Sequence, residues 1–161
     1  MNKLQQIVAY LCLHYPHKNE LSKARLTKLV YLADWFSALL NGKQLSEIRW
    51  FFNHYGPYVD DVISSVNGCP GFKIENSQTI YGSQKNLVVF DGESSDIKLS
   101  NEDRLILKSV IAKTEALFFN DFIDYVYSTY PVRSEERYAS LDLARLADEY
   151  RSQHSNAALA S

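Results

Sequence analysis

The segment at residues 22–41 leaves the fewest options for the fold, because as a helix it has almost no polar side. Leu26, Leu29, Ala33, Phe36 and Leu40 make one stripe at helical spacing, and Tyr31, Trp35 and Ala38 make another. A helix apolar nearly all round is packed on several sides, so it belongs at the centre of a domain with the other elements arranged about it. Ser22 is suited to cap its N-terminus, with Asn19 as an alternative start, and Gly42 suits its C-terminal cap.

The rest of the chain supplies partners for such a centre. Leu4, Ile7, Val8, Leu11 and Tyr15 predict an amphipathic helix over residues 3–14, stopped by Pro16. Residues 48–54 (Ile-Arg-Trp-Phe-Phe-Asn-His) read as a short strand, being rich in aromatic and β-favouring side chains. Gly56-Pro57 reads as a hinge into a new helix, with Pro57 at the first helical position. Asp60 and Asp61 then fall in the first turn, where the helix dipole favours negative charge, and Val59, Val62, Ile63 and Val66 form an apolar face ending near Asn67-Gly68. Short strands are expected at 72–76, 78–81 and 86–90, with turns at Asn76-Ser77 and Gly82-Ser83.

Three further helices follow. Ser100 and Asp103 predict a capped helix bearing Leu107, Val110 and Ile111. Asn120 is placed to cap a short helix with Ile123, Val126, Tyr127 and Tyr130, closed by Pro131. A last helix over residues 140–152 uses Leu143, Ala147 and Tyr150. The expected fold class is mainly α with a small β-sheet (α+β), a compact helical domain around the helix at 22–41. A single domain is expected over 1–153, followed by a flexible tail at 154–161.

Composition excludes several function classes. Seventeen Lys and Arg against 19 Asp and Glu leave a net charge of -2, without the basic footprint that duplex binding needs, which argues against direct nucleic-acid binding. Cys12 and Cys69 belong to no CxxC or Cys/His cluster, so no structural metal is expected and a reducing compartment fits. No secretion-signal pattern occurs and no stretch approaches the ~20 apolar residues of a membrane span, so the expected location is the cytoplasm. Aromatic content of 13%, with 11 Tyr, favours a binding protein, since Tyr joins a large contact area to a polar tip. No GxGxxG, P-loop, HExxH or GxSxG pattern occurs, so no cofactor is expected.

Three groups of residues carry possible chemistry. Asp34 lies within the apolar helix, where a carboxylate needs hydrogen bonds or a positive partner. It is either a ligand contact or general base, or a buried polar link reaching backbone N–H groups near Gly56-Pro57. His54, next to Tyr55, is a candidate to pair with Asp34 as an acid/base dyad, although no nucleophile motif accompanies it. Lys23, Arg25 and Lys28 crowd the start of the helix, where positive charge opposes the dipole. They form either a site for an anionic partner or a solvated face with acidic neighbours such as Glu20.

Two segments and a short connection between them carry a family resemblance. They are Lys28-Leu29-Val30-Tyr31-Leu32-Ala33, then Gly42-Lys43-Gln44-Leu45, then the aromatic run ending in Tyr55-Gly56-Pro57-Tyr58-Val59. In these the chain resembles the Panacea domain family, the SocA-like antitoxins of bacteria and their phages. The later helical segments fit as well, so the likeness spans residues 4–131. Ser128-Thr129-Tyr130-Pro131-Val132 stands where the family often has a His-containing turn and a Pro-Trp pair, and residues beyond it carry no family role.

The resemblance implies an antitoxin, not an enzyme, that neutralises a cognate toxin by direct binding, the toxin being encoded next to it, with homo-oligomer formation as a further possibility. Leu29, Tyr31, Asp34, Trp35, Gly56 and Pro57 are then structural family positions. The candidate partner-binding residues are Lys23, Arg25, Lys28, Trp50, His54, Tyr55 and Tyr58. The alternatives are a DNA-binding regulator using the Lys23 helix and an enzyme using an Asp34/His54 site. The tail, Asn156-Ala157-Ala158-Leu159-Ala160-Ser161, loosely resembles the Leu-Ala-Ala end of bacterial degradation tags, against the simpler reading of an unstructured end.

Overall fold

The central helix forms as expected, and it is enclosed more completely than its apolar stripes require. The computed structural model describes residues 1–78 and 81–160, with side chains up to residue 155 in the last helix. Helix α2 (Lys23–Asn41) starts where the Ser22 side chain accepts a hydrogen bond from the Arg25 N–H at 3.2 Å and ends at Gly42, whose φ of 76° is the left-handed cap glycine adopts without strain. Arg25 to Trp35 are buried without interruption, around three full turns of helix.

The other helices and the hairpins wrap this axis. Helix α1 (Lys3–His14), with the Asn2–Gln5 capping box at its start, packs on α2 through Ile7, Val8 and Leu11. Helices α4 (Asn101–Thr114), α5 (Phe119–Ser128) and α7 (Leu143–Ala160) close the remaining sides, and the short α6 (Tyr130–Ser134) links α5 to α7. The buried apolar side chains from α1 through α7 form one continuous cluster, with Leu26, Leu29, Leu32, Tyr31 and Trp50 near its middle. The fold is α+β, helical with two small antiparallel sheets.

One sheet has the order β2-β1-β5, built from β1 (Trp50–Asn53), β2 (Gly56–Pro57) and β5 (Ser140–Leu141). Asn53 pairs with Gly56 and Phe52 with Pro57, so His54 and Tyr55 are the two residues of a tight hairpin tip. Gly56 holds a φ of 98°, a conformation that a side chain would strain. The second sheet is the hairpin of β3 (Phe72–Gln78) and β4 (Gln84–Phe90), attached to the start of α2 by a bond from Val88 N–H to the Leu21 carbonyl at 3.0 Å.

Several local expectations are corrected by this arrangement. Pro57 does not begin a helix: it lies in the edge strand β2, where a missing N–H costs the ladder nothing, and helix α3 (Asp61–Val66) starts only after Asp60. Asn76-Ser77 is not a turn, because both residues continue β3 opposite Asn86 and Lys85. Of the strand expected at 78–81, residues 79 and 80 lie outside the described residues, and Gln78 is the last of β3. Asn120 is inside α5 and not its cap; the cap position is Phe118, which makes no side-chain capping bond. Pro131 opens α6 at a first-turn position, where proline is tolerated, while α5 ends at Ser128. The last helix begins at Leu143, since residues 140–141 pair with β1, and continues to Ala160. Leu40 leaves its apolar stripe and is 73% exposed near the end of α2. Among the described residues no helix is long and apolar enough to cross a membrane.

Candidate partner-binding cleft

The hairpin tip, the first half of α2 and the outer face of α5 meet in a cleft. Its two adjoining hollows, of about 480 and 340 Å³, share Ala24, Lys28 and Tyr55 as walls. One hollow is completed by Phe119, Ile123, Asp124 and Tyr127 of α5, the other by Asn53, His54 and Tyr58 of the hairpin. Each element arrives there for a local reason. The two-residue turn projects His54 and Tyr55 outward, and Tyr55 is 76% exposed. Helix α5 buries Phe122 and Val126 against the core, which turns Phe119, Ile123 and Tyr127 toward the cleft. The Tyr127 ring also packs edge-on against Phe52 of β1, tying α5 to the hairpin.

Four of the seven candidate binding residues therefore come together: Lys28, His54, Tyr55 and Tyr58. Lys23, at the start of α2, is half-buried and its carbonyl accepts from Thr27 Oγ1 at 2.8 Å. The other two are withdrawn from the surface. Trp50 is almost fully buried, its indole N–H donating to Asp34 Oδ2 at 2.8 Å. Arg25 is also buried, as neither a solvated side chain nor an anion receptor. Its guanidinium donates to the Tyr15 hydroxyl at 2.9 Å and to the carbonyls of Thr114 and Leu117 at 3.1 and 2.6 Å. It also pairs with Glu20 at 3.5 Å and stacks 4.5 Å from the Phe122 ring centre. A fixed fork of five donors suits this task, so Arg25 fastens the α4–α5 connection to α1 and α2.

Lys28, one turn further along α2, is buried to a similar degree but is left without such partners. It is 2% exposed, with Nζ keeping a small contact with solvent at the cleft, and among the described residues it makes no ion pair and no side-chain hydrogen bond. Its ammonium faces the Tyr58 ring, 5.9 Å from the centroid. Burial alone lowers its pKa to about 8. Burial also raises the pKa of Tyr58, helped by the negative charge of Asp60 and a hydrogen bond to it.

Asp34 has a structural task. The Ser46 N–H donates to Oδ1 at 2.8 Å, and Ser46 Oγ, Trp50 Nε1 and Gln44 Nε2 donate to Oδ2. The expected buried link is thus present, but it reaches the connection at residues 44–50 and not Gly56-Pro57. Burial pushes the carboxyl pKa up, and the bonds from Ser46 and Trp50 oppose that rise. His54 is not among its partners: its Nδ1 lies 3.3 Å from the Tyr138 hydroxyl, at the exposed hairpin tip. No Asp34/His54 dyad exists. Among the described residues, no group of three or more His, Cys, Asp or Glu could hold a metal ion.

The α5 contribution was missed from sequence. By sequence, Ile123 and Tyr127 fall on the apolar face of a short helix, and neither Phe119 nor Asp124 is singled out; the signal available was the Phe118-Phe119 pair at its start, which the structure leaves 75% and 48% exposed. Tyr138 was missed too. It holds a left-handed φ of 71°, and its N–H donates to the Phe52 carbonyl at 2.6 Å, a strained placement no local pattern announces.

Comparison with known families gives one match. The family described as "Antitoxin SocA-like, Panacea domain" matches residues 26–131, about two thirds of the chain, and this span includes Lys28, the hairpin and α5. No curated protein and no solved structure matches.

Proposed function

Because the chain belongs to the SocA-like antitoxin family, with its Panacea domain at residues 26–131, we propose that it neutralises a cognate bacterial toxin by direct protein–protein contact in the cytoplasm. The observation that carries this reading is the cleft itself. Exposed Tyr55 and Phe119 stand at its edges, over walls of Tyr58, Tyr127 and Ile123. Interface hot spots favour aromatic side chains that desolvate a large area at small entropic cost, and exposed aromatics gathered around a concavity fit that pattern. The toxin is encoded beside this chain and binds at the cleft, not at Trp50 or Arg25, which the core retains.

Binding explains the molecule better than the two alternatives. An enzyme using Asp34 and His54 lacks its dyad. A regulator docking the Lys23 helix on phosphates has lost Arg25 to the interior and has Lys28 recessed.

The test is a growth assay in a bacterial host. The protein encoded by the adjacent reading frame is expressed alone, with this chain, and with a Tyr55→Ala, Phe119→Ala double variant. Arrest of growth that the wild-type chain relieves and the double variant does not is the expected result. Arrest without relief by the wild-type chain overturns the antitoxin reading; relief by both overturns the cleft as the binding surface.

A further inference from the structure

A buried cation without a counter-charge costs free energy, and proteins ordinarily supply one. Arg25 shows that this fold does so: one turn before Lys28 and buried in the core, it has a hydroxyl, two carbonyls and a carboxylate around it. Lys28 has only the face of the Tyr58 ring. Asp124 lines the same cleft but makes no ion pair with it, and burial lowers the pKa of Lys28. Lys28 lines both hollows, together with Ala24 and Tyr55.

We propose that this pocket receives an acidic side chain, Glu or Asp, from the toxin, whose carboxylate pairs with Lys28 Nζ while the aromatic walls enclose its stem. The proposal rests on the antitoxin reading above and names the chemistry of its contact. A carboxylate fits better than a phosphate. Phosphate groups are held by several convergent donors, whereas the cleft offers one point cation, and Asp124 adds negative charge that a dianion would meet. The walls contributed by Tyr55, Tyr58, Tyr127 and Ile123 suit methylene groups. Desolvating a charge pair in such a setting gives specificity, because a partner without the carboxylate leaves Lys28 buried and unpaired.

The first measurement uses the full chain with 13C-labelled lysine, following the Lys28 Cε resonance across a pH titration; the Lys28→Met variant identifies the signal. The probes are blocked glutamate (N-acetyl, N-methylamide), blocked glutamine and inorganic phosphate, at constant ionic strength. Blocked glutamate should move the Lys28 midpoint up by about one pH unit, as a carboxylate within ion-pair distance does, while blocked glutamine leaves it in place. No movement with glutamate overturns the proposal, as does an equal or larger movement with phosphate.

The second measurement is affinity for the toxin in the rescuing complex. Lys28→Met should weaken binding at least about tenfold, the loss expected when one partner of a desolvated charge pair is removed, with its folded-state spectrum retained. Unchanged affinity with full rescue overturns the pocket and leaves the antitoxin reading standing. Failure of the wild-type chain to rescue removes that reading and the toxin as occupant, while the probe titration still decides whether the pocket takes a carboxylate.

Discussion

Lys28 should lower the stability of the protein that contains it. Its pKa falls from an ordinary 10.5 to about 8 on folding, through burial alone. At ~1.4 kcal/mol for each pH unit, holding the charged form in the folded state costs about 3 kcal/mol below pH 8. Lys28→Met removes the charge and keeps an unbranched stem of similar volume, so the variant should be more stable than wild type at pH 7. Allowing for relaxation around Nζ, about 2 kcal/mol is expected, or about 4–8 °C in Tm for a domain of this size. The sign of the pH dependence follows from linkage. Between about pH 8 and 10.5 the unfolded wild-type chain binds more protons than the folded one, so wild-type stability rises through that window and the advantage of the variant disappears. Asp124, His54, Tyr55, Tyr58 and Tyr127 are the other ionisable groups lining the cleft, and both proteins carry them. Urea unfolding at pH 7, 8.5 and 10 measures it. A Lys28→Met protein less stable at pH 7, or a difference that does not change with pH, would refute the reasoning.

Four other outcomes are expected. Arg25→Met should destabilise by about 3 kcal/mol in urea unfolding, with little dependence on salt, because it leaves the Leu117 carbonyl without its donor and Glu20 without its cation. Asp34→Asn should cost about 2–3 kcal/mol by thermal unfolding, since the new amide N–H₂ faces donors from Ser46, Trp50 and Gln44. Gly56→Ala should cost about 1–2 kcal/mol, because the φ of 98° is strained for a residue with a side chain, and hydrogen exchange should quicken first at the His54-Tyr55 tip. Iodoacetamide should modify Cys69 and spare Cys12 in the folded protein, as Cys12 is enclosed and burial pushes its thiol up to about 12, which mass spectrometry of digests will show.

Much of this fold was legible in the sequence because its signals are local. Ser22, Gly42, Ser100 and the periodicity of 3–14 act on backbone a few residues away, and each element they mark is present. The apolar girth of 22–41 likewise predicted enclosure, and Arg25 to Trp35 are all buried. Where a local signal had two uses, the choice was tertiary. Pro57 suits a helix start or an edge strand equally, and pairing with Phe52 decided it. Asn76-Ser77 resembles a turn, but β4 lay opposite and continued the ladder.

The candidate site divides along the same line. From the sequence alone came the helix that carries Lys28, the aromatic run ending at Gly56-Pro57, the family, and a buried role for Asp34. Only the tertiary structure separated Arg25 from Lys28. The two cations are three positions apart on one helix, yet Arg25 faces carbonyls at 114 and 117 and Lys28 faces a ring and an open hollow. Spacing says which residues share a helix face, whereas the cost of a charge depends on what other segments bring to it. Those segments, α5 and the hairpin tip, are remote in the chain from the start of α2, and it is their packing that encloses the Lys28 stem and leaves its ammonium at the cleft without a carboxylate partner among the described residues.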